Sequence, residues 1–282
     1  MPRPMTASAW REPSVLPGFA PSLTATLLWL GLLVIAPLAV MVATAAGLGW
    51  DGFWTLALRP RVLADLSVSV SSALAASLID AVFGLIVAWV LVRYRFPGRG
   101  LVNALIDLPF ALPTAVAGIA LAALYAPRGP VGTVLAPFGI AIAYTRAGIV
   151  VALMFAGLPF IVRTLEPVIA ELDIEQEEAA ETLGASATTS FVRVLLPPLL
   201  PALLTGFALA LARALGEYGS VIFIAGNKPM VSEILPLLIV TELEQFNIPG
   251  AVAIATLMLA ASFLLLISVN LLQGWVRKHH GE

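Results

Sequence analysis

The chain has 282 residues, of which 60% are hydrophobic and 11% are charged. Soluble globular domains usually have about a quarter of charged residues, so this composition excludes an ordinary soluble fold and indicates a multi-pass membrane protein. The net charge of −2 and the absence of a basic tract argue against nucleic acid as a partner. The absence of cysteine, with both histidines in the tail (His279 and His280), excludes a thiolate site and a histidine-based metal or catalytic centre within the membrane.

The apolar runs predict an all-α protein with about six transmembrane helices. A polar tail at residues 1–22 precedes this transmembrane domain of residues 23–276, and a short tail at 277–282 follows it. The first run is longer than the apolar core of a cleaved signal peptide, which favours a retained span. The linker 127–146 is rich in proline and glycine and is predicted to be a loop. The predicted spans are residues 23–47, 68–92, 101–126, 147–165, 199–226 and 250–276.

The distribution of lysine and arginine predicts the orientation. With six spans both termini lie on the same side, and the loops on that side carry more lysine and arginine than the opposite loops. Because positive residues collect on the cytoplasmic side, both termini are predicted to be cytoplasmic.

The loop at 167–197 differs from its surroundings. Ionised carboxylates are costly in hydrocarbon, so this acidic segment is predicted to lie in water. Its residues favour a short helix, a left-handed turn at Gly184, and a second short helix capped by Ser186 that ends at Pro197 and Pro198. Such a segment is either a docking surface or a merely solvated loop. Its acidic residues are Glu171, Asp173, Glu175, Glu177, Glu178 and Glu181.

Ionisable residues within the spans are candidates for a transport path. Arg213 and Glu217 are four residues apart, so they share a helix face and can pair. The pair is either structural or part of an anion path, since the guanidinium of Arg213 suits a tetrahedral oxyanion. Because Glu217 neutralises that charge, a pathway or gate is favoured over a tight site. Asp80 and Asp107 are predicted to be hydrogen-bonded packing residues near span ends rather than proton carriers.

The third span is predicted to be distorted. Pro109 and Pro113 each remove a backbone donor, and broken helices at membrane depth commonly line a cavity, although a plain distortion is an equal alternative. Asp107, Pro109 and Pro113 are therefore candidate path or gate residues beside Arg213 and Glu217. Three glycines of the fifth span are predicted to allow close packing of helices: Gly206, Gly216 and Gly219.

The chain lacks the motif of an ATPase. Its only lysines, Lys228 and Lys278, do not lie in a phosphate-binding loop, so any ATP hydrolysis belongs to another subunit.

The acidic loop resembles the EAA signature of ATP-binding-cassette (ABC) import permeases. The match consists of Glu178-Ala179-Ala180, then Gly184, then Leu196-Pro197 at the family's spacing, with Val194 in place of the usual isoleucine. Further segments are similar to the T-type permease of sulfate/thiosulfate importers. They are residues 93–99 (RYRFPGR), 107–118 (DLPFALPTAVAG), 177–184 (EEAAETLG) and 213–227 (RALGEYGSVIFIAGN).

This resemblance implies a type I ABC importer permease in the bacterial inner membrane. Glu178, Ala179, Ala180, Gly184, Leu196 and Pro197 would form the cytoplasmic coupling region that inserts into an ATPase subunit. The implied partners are a W-type permease, two cytoplasmic ATPase subunits and a periplasmic sulfate-binding protein. The chain itself would bind no cofactor and would not be an enzyme, because the partner ATPase uses the ATP.

Three alternatives follow from the sequence. A molybdate or tungstate permease of the same superfamily would carry another tetrahedral dianion, although such chains are typically shorter at the N-terminus. A single-chain secondary transporter would use a gradient through Asp80, Asp107 or Glu217. A membrane enzyme would need a metal or nucleophile cluster that the chain lacks. The residues do not decide between sulfate, thiosulfate and molybdate.

Overall fold

The computed structural model describes residues 19–280, and the side chains among them as far as Gly274. Every regular element in this range is helical. The helices are α1 (Phe19–Ala46), α2 (Gly49–Ala57), α3 (Pro60–Arg93), α4 (Arg99–Ala111), α5 (Thr114–Tyr125), α6 (Pro130–Leu135), α7 (Arg146–Glu171), α8 (Ile174–Thr182), α9 (Ala187–Leu215), α10 (Val221–Ile224), α11 (Leu235–Glu244) and α12 (Ile248–His280).

Within residues 19–280, six helical stretches are long and apolar enough to cross a membrane. This agrees with the predicted all-α, multi-pass architecture. They are Phe19–Ala46, Pro60–Arg93, Thr114–Phe138, Arg146–Glu171, Ala187–Leu215 and Ile248–Gly274.

The first and last helices extend into the predicted tails of residues 1–22 and 277–282. Helix α1 begins at Phe19, before the predicted start at residue 23, and α12 continues to His280, beyond the predicted end at 276. Residues 1–18 and 281–282 of the predicted tails lie outside the described residues.

The centre of the bundle is formed by α3, α7 and α9. Two glycines allow their close approach to Ile161 of α7. A Cβ atom at Gly84 would lie 2.6 Å from Ile161 Cγ2, and one at Gly206 would lie 3.0 Å from Ile161 Cα. The predicted packing role of Gly206 is therefore confirmed.

The predicted third span is interrupted, as the proline argument indicated. Leu112 is extended (ψ 136°) and separates α4 from α5, because the ring of Pro113 disfavours helical geometry at the preceding residue. Pro109 lies inside α4 without ending it. The break is therefore due to Pro113.

The predicted end of the second loop helix at Pro197 and Pro198 is wrong. The helix that starts at Ala187 continues through a π-helical turn at Phe191–Leu195 and then through the prolines to Leu215. A π-turn has wider i to i+5 hydrogen bonds than an α-helix. This one ends at Leu195, just before Pro197 and Pro198, whose nitrogens cannot donate a backbone hydrogen bond. The fifth span also ends at Leu215 rather than 226, and the linker 127–146 contains the short helix α6.

The helix bundle has two ends. We call one end the α8 face; it contains α8 and the C-terminal ends of α3 and α7. The opposite face carries the start of α3, the start of α7 and α11. The segment of residues 216–247, which connects α9 to α12, is bonded to the start of α3 on the opposite face.

Candidate docking surface and path residues

The loop around α8 has the helix–turn–helix form that the sequence predicts. Helix α8 ends at Thr182, and Gly184 adopts a left-handed conformation (φ +82°). The Ser186 hydroxyl oxygen accepts a hydrogen bond from the Thr189 backbone N–H at 3.3 Å and so caps α9. Among the described residues, no atom lies within 4 Å of a Cβ built at Gly184. Glycine is therefore favoured here by the backbone angle and not by lack of space.

Helix α8 turns the EAA residues mostly to solvent. Glu178 and Ala179 are exposed, whereas Ala180 is buried. Leu183 is 88% exposed directly before the glycine turn. This end of α8 therefore presents an apolar side chain to solvent. Leu196 and Pro197 are half-buried and lie in α9, directly after the turn at Phe191–Leu195.

One ion pair fastens α8 to the end of α3. Arg93 Nη2 donates to Glu177 Oε1 at 2.6 Å. The Arg93 guanidinium also lies 5.2 Å from the centre of the Trp89 ring, a cation–π distance. The Trp89 ring in turn contacts Phe191 edge-to-face, with centroids 6.0 Å apart. We call Glu177, Arg93, Trp89 and Phe191 the Arg93 network.

The predicted pairing of Arg213 and Glu217 is confirmed. Arg213 lies in the last turn of α9, and its Nη1 forms an ion pair with Glu217 Oε2. Glu217 is 2% exposed, and its other oxygen accepts hydrogen bonds from the backbone N–H and the hydroxyl of Ser220 at 2.9 and 2.8 Å. The carboxylate therefore also fixes the turn that follows α9.

This turn lies against the broken third span. A Cβ at Gly118 would be 2.3 Å from the Ser220 carbonyl oxygen, and one at Gly219 would be 2.1 Å from Thr114 Oγ1. The structure thus brings the turn held by Glu217 next to the break at Pro113. The packing role predicted for Gly219 is confirmed. That of Gly216 is wrong, because the nearest atom to its Cβ position, the Ala212 carbonyl oxygen, is 4.0 Å away.

Asp107 belongs to a separate cluster. Its carboxylate accepts from Arg163 Nε at 2.8 Å and from Nη2 at 2.7 Å, which confirms the predicted hydrogen bonding. Arg163 also donates to Glu166 and Asn103. Asp107 is therefore tied to α7 and forms no ion pair with Arg213 among the described residues. The sequence argument missed Arg163; its spacing of three residues from Glu166 was the available signal.

Asp80 was predicted to be hydrogen-bonded and near the end of a span, and both parts of this prediction are wrong. The residue lies well inside α3 rather than near an end, is 1% exposed, and its Oδ2 has no hydrogen-bond partner in the described part of the chain. Gly157 of α7 leaves the space for it, since a Cβ there would lie 2.6 Å from Asp80 Oδ2. The carboxyl is enclosed by α3, α7 and α9, and no polar side chain of the described residues bonds its Oδ2.

The opposite face carries a cluster that the sequence argument missed. Arg61 Nε and Nη2 donate to both carboxylate oxygens of Glu233 at 2.8 Å. The Met230 N–H donates to buried Asp65 at 3.2 Å, and Arg59 pairs with Glu242. These bonds attach the connection between α9 and α12 to the start of α3. Pro60, a favoured first residue of a helix, was the signal that α3 begins this early.

Comparison with known proteins identifies the family and the fold of the chain. Residues 81–279 match the family described as binding-protein-dependent transport system inner membrane component. The fold resembles a bacterial ABC transporter that imports the acidic polysaccharide alginate, with a TM-score of 0.72 and 15% identity over 90% of this chain and 94% of that one. The MetNI methionine ABC transporter gives a TM-score of 0.55 at 20% identity over 75% of this chain and 96% of that one. Both likenesses concern the fold alone.

The fold and the family match define a type I ABC importer permease. The chain belongs to the binding-protein-dependent transport system inner membrane component family, whose members are permease subunits and not enzymes. Its sequence is 51% identical to the sulfate transport system permease protein CysT of Escherichia coli (strain K12), over 92% of this chain and 94% of the relative. It is 50% identical to the CysT protein of Synechocystis sp. over 91% of this chain and 90% of the relative.

Proposed function

We propose that this chain is the T-type permease of an ATP-driven, binding-protein-dependent importer of sulfate, with thiosulfate as a second substrate. The 51% identity with a sulfate transport permease over 92% of the chain carries this proposal. The proposed location is a bacterial inner membrane, with both termini and the α8 face in the cytoplasm.

The proposed complex contains a W-type permease, two ATPase subunits and a periplasmic sulfate-binding protein. Two apolar surfaces are available to a second permease. Ala45 is the only buried residue among the described residues of α1, and the broken third span leaves Leu105, Phe110 and Ile119 more than half exposed. In a bilayer such surfaces pack against lipid or against another membrane chain; the second permease would cover part of them, and the two permeases would enclose the path.

The EAA region is the proposed contact with the ATPase. Glu178, Ala179 and the turn at Gly184 would enter a cleft on that subunit, with Leu196 and Pro197 supporting them from α9. The exposure of Leu183 supports this assignment. This chain would bind no cofactor, and ATP would be bound and hydrolysed by the partner.

The proposed path passes the turn that follows α9 and the adjacent break. Arg213 would supply positive potential to a passing oxyanion, and the break at Pro113 would give the path its irregular wall. Asp107 and Pro109 would flank it on α4. Because Glu217 neutralises Arg213 and holds the turn, the site favours passage over tight binding. Selectivity would then lie mainly in the binding protein.

Two other functions make different predictions. A molybdate or tungstate permease would keep the architecture and change the ligand. A single-chain secondary transporter would need neither an ATPase nor an intact α8, and mutation of the EAA residues would leave its transport unchanged.

The test is uptake of labelled sulfate in cells that lack this chain, with and without its gene restored. Restored uptake that is blocked by excess thiosulfate and by ATP depletion is the expected result. The Gly184→Asp variant, present in the membrane at normal amount, should not restore uptake. Unchanged sulfate uptake with restored molybdate accumulation would overturn the substrate and keep the class.

A further inference from the structure

We propose that the Arg93 network transmits movement of α8 to the membrane helices, which makes Arg93 a positioning residue for coupling. This inference rests on the proposed function, because it assumes that an ATPase docks on α8. It concerns residues outside the EAA signature and names the contact through which docking would reach the transmembrane part.

The attachment of α8 to the bundle is sparse. Ala180 is its one buried residue. Among the described side chains, the Glu177–Arg93 pair is also the one side-chain bond that joins α8 to another helix. A displacement of α8 would therefore act on α3 through this one ion pair, in addition to the short chain connections that lead from α8 to α7 and α9.

Glu177 differs from the other carboxylates of α8. Glu175, Glu178 and Glu181 are exposed and form no ion pair among the described residues. Glu177 is half-buried, and its partner Arg93 is 16% exposed. A partly buried, hydrogen-bonded ion pair holds its geometry better than an exposed one, because water screens it less. The pair is therefore suited to carry a directed displacement.

The network continues from Arg93 into α9. The guanidinium packs over the Trp89 ring, and Trp89 contacts Phe191 edge-to-face. Phe191 is the first residue of the π-turn at Phe191–Leu195. π-turns and prolines are the places at which helices bend most easily. The network thus joins α8 both to the end of α3 and to the π-turn of α9, and α9 ends at the Arg213–Glu217 pair.

The experiment uses the complete complex reconstituted in vesicles with the sulfate-binding protein. Arg93→Ala and Glu177→Ala should each lower the sulfate transported per ATP hydrolysed by about fivefold, at normal assembly. A structural role alone would lower the amount of complex and leave this ratio unchanged. The exchanged pair Arg93→Glu with Glu177→Arg should recover most of the ratio. Arg95→Ala removes a neighbouring exposed arginine and should leave it at the wild-type value.

A second measurement does not depend on the substrate. The chain has no cysteine, so spin labels can be placed at Gln176→Cys in α8 and Arg95→Cys beyond α3. With the Arg93 network intact, the distance between the two labels should keep one narrow distribution when nucleotide is added. In the Arg93→Ala variant this distribution should broaden.

The outcomes separate the two proposals. A wild-type ratio in Arg93→Ala, or no recovery in the exchanged pair, would overturn the role of the network. An equally narrow distance distribution in the Arg93→Ala variant would also overturn the role of the network, whichever anion the complex transports. Absence of sulfate uptake by the wild-type complex would overturn the proposed substrate and leave the distance measurement to decide on the network.

Discussion

The hydroxyl oxygen of Thr114 lies 2.1 Å from the position that a Cβ atom would occupy at Gly219. Thr114 is the first residue of α5, directly after the break at Pro113, and Gly219 lies in the turn that Glu217 holds through Ser220. The break at Pro113 and the turn that contains Gly219 are therefore packed directly against each other, beside the Arg213–Glu217 pair. The distance between them is sensitive to the addition of a single methyl group at Gly219.

Gly219→Ala should lower both stability and sulfate uptake. The added methyl group must displace Thr114 or the turn, and overpacking of this kind costs roughly 1–3 kcal/mol. The melting temperature of the purified complex and the initial uptake rate are the measurements. Gly216→Ala is the matched control, because its Cβ would have 4.0 Å of clearance. Equal effects of the two substitutions would show that the contact with Thr114 is unimportant.

Gly184→Asp should reduce uptake by more than about tenfold, because a buried unpaired charge at an interface costs over 1.4 kcal/mol. Gly98→Asp is a close control, since Gly98 has a similar angle (φ +86°) and lies outside α8, and no atom of the described residues comes within 4 Å of its Cβ position. The two variants share the backbone strain and differ in the docking surface. Comparable loss of uptake in both would assign the effect to strain.

Arg213→Ala should lower the maximal rate of sulfate uptake by about tenfold and change the apparent affinity much less. The reason is that Glu217 would remain bonded to Ser220 while the positive charge beside the path is lost. Arg213→Lys keeps the charge and should recover part of the rate. A large loss of affinity at unchanged maximal rate would instead indicate a binding site for the anion.

Asp80→Asn should leave uptake within about twofold of wild type, because the amide has the same shape and Asp80 Oδ2 accepts no hydrogen bond from the described residues that would require its charge. The measurement is uptake with and without a collapsed proton gradient at constant ATP. Loss of uptake in a normally assembled Asp80→Asn complex would favour the secondary transporter, in which this carboxyl carries a proton.

The sequence predicted those parts of the fold that depend on local signals. The spans follow from runs of apolar residues, the turn of α8 from Gly184 and its cap from Ser186, and the break from Pro113. The pairing of Arg213 with Glu217 follows from their spacing. Each of these features is determined by residues within a few positions of one another.

The errors concern contacts between distant segments. The bond from Arg163 to Asp107 crosses from α7 to α4, and that from Arg61 to Glu233 crosses from α3 to the connection before α12. Neither partner indicates the other in the sequence. Pro197 and Pro198 resemble a helix end, and their tolerance within α9 depends on the π-turn before them, for which the sequence has no simple signal. The burial of Asp80 likewise depends on Gly157, a residue of another helix.

Helix α3 has a consequence for communication between the two sides of the membrane. It is 34 residues long, which corresponds to about 51 Å at the normal rise of an α-helix, whereas the hydrocarbon layer is about 30 Å thick. It is uninterrupted and has no proline beyond its first position. Arg61 and Arg93 each form an ion pair near opposite ends of it. A tilt of this helix at one membrane surface would therefore also displace its end at the other surface.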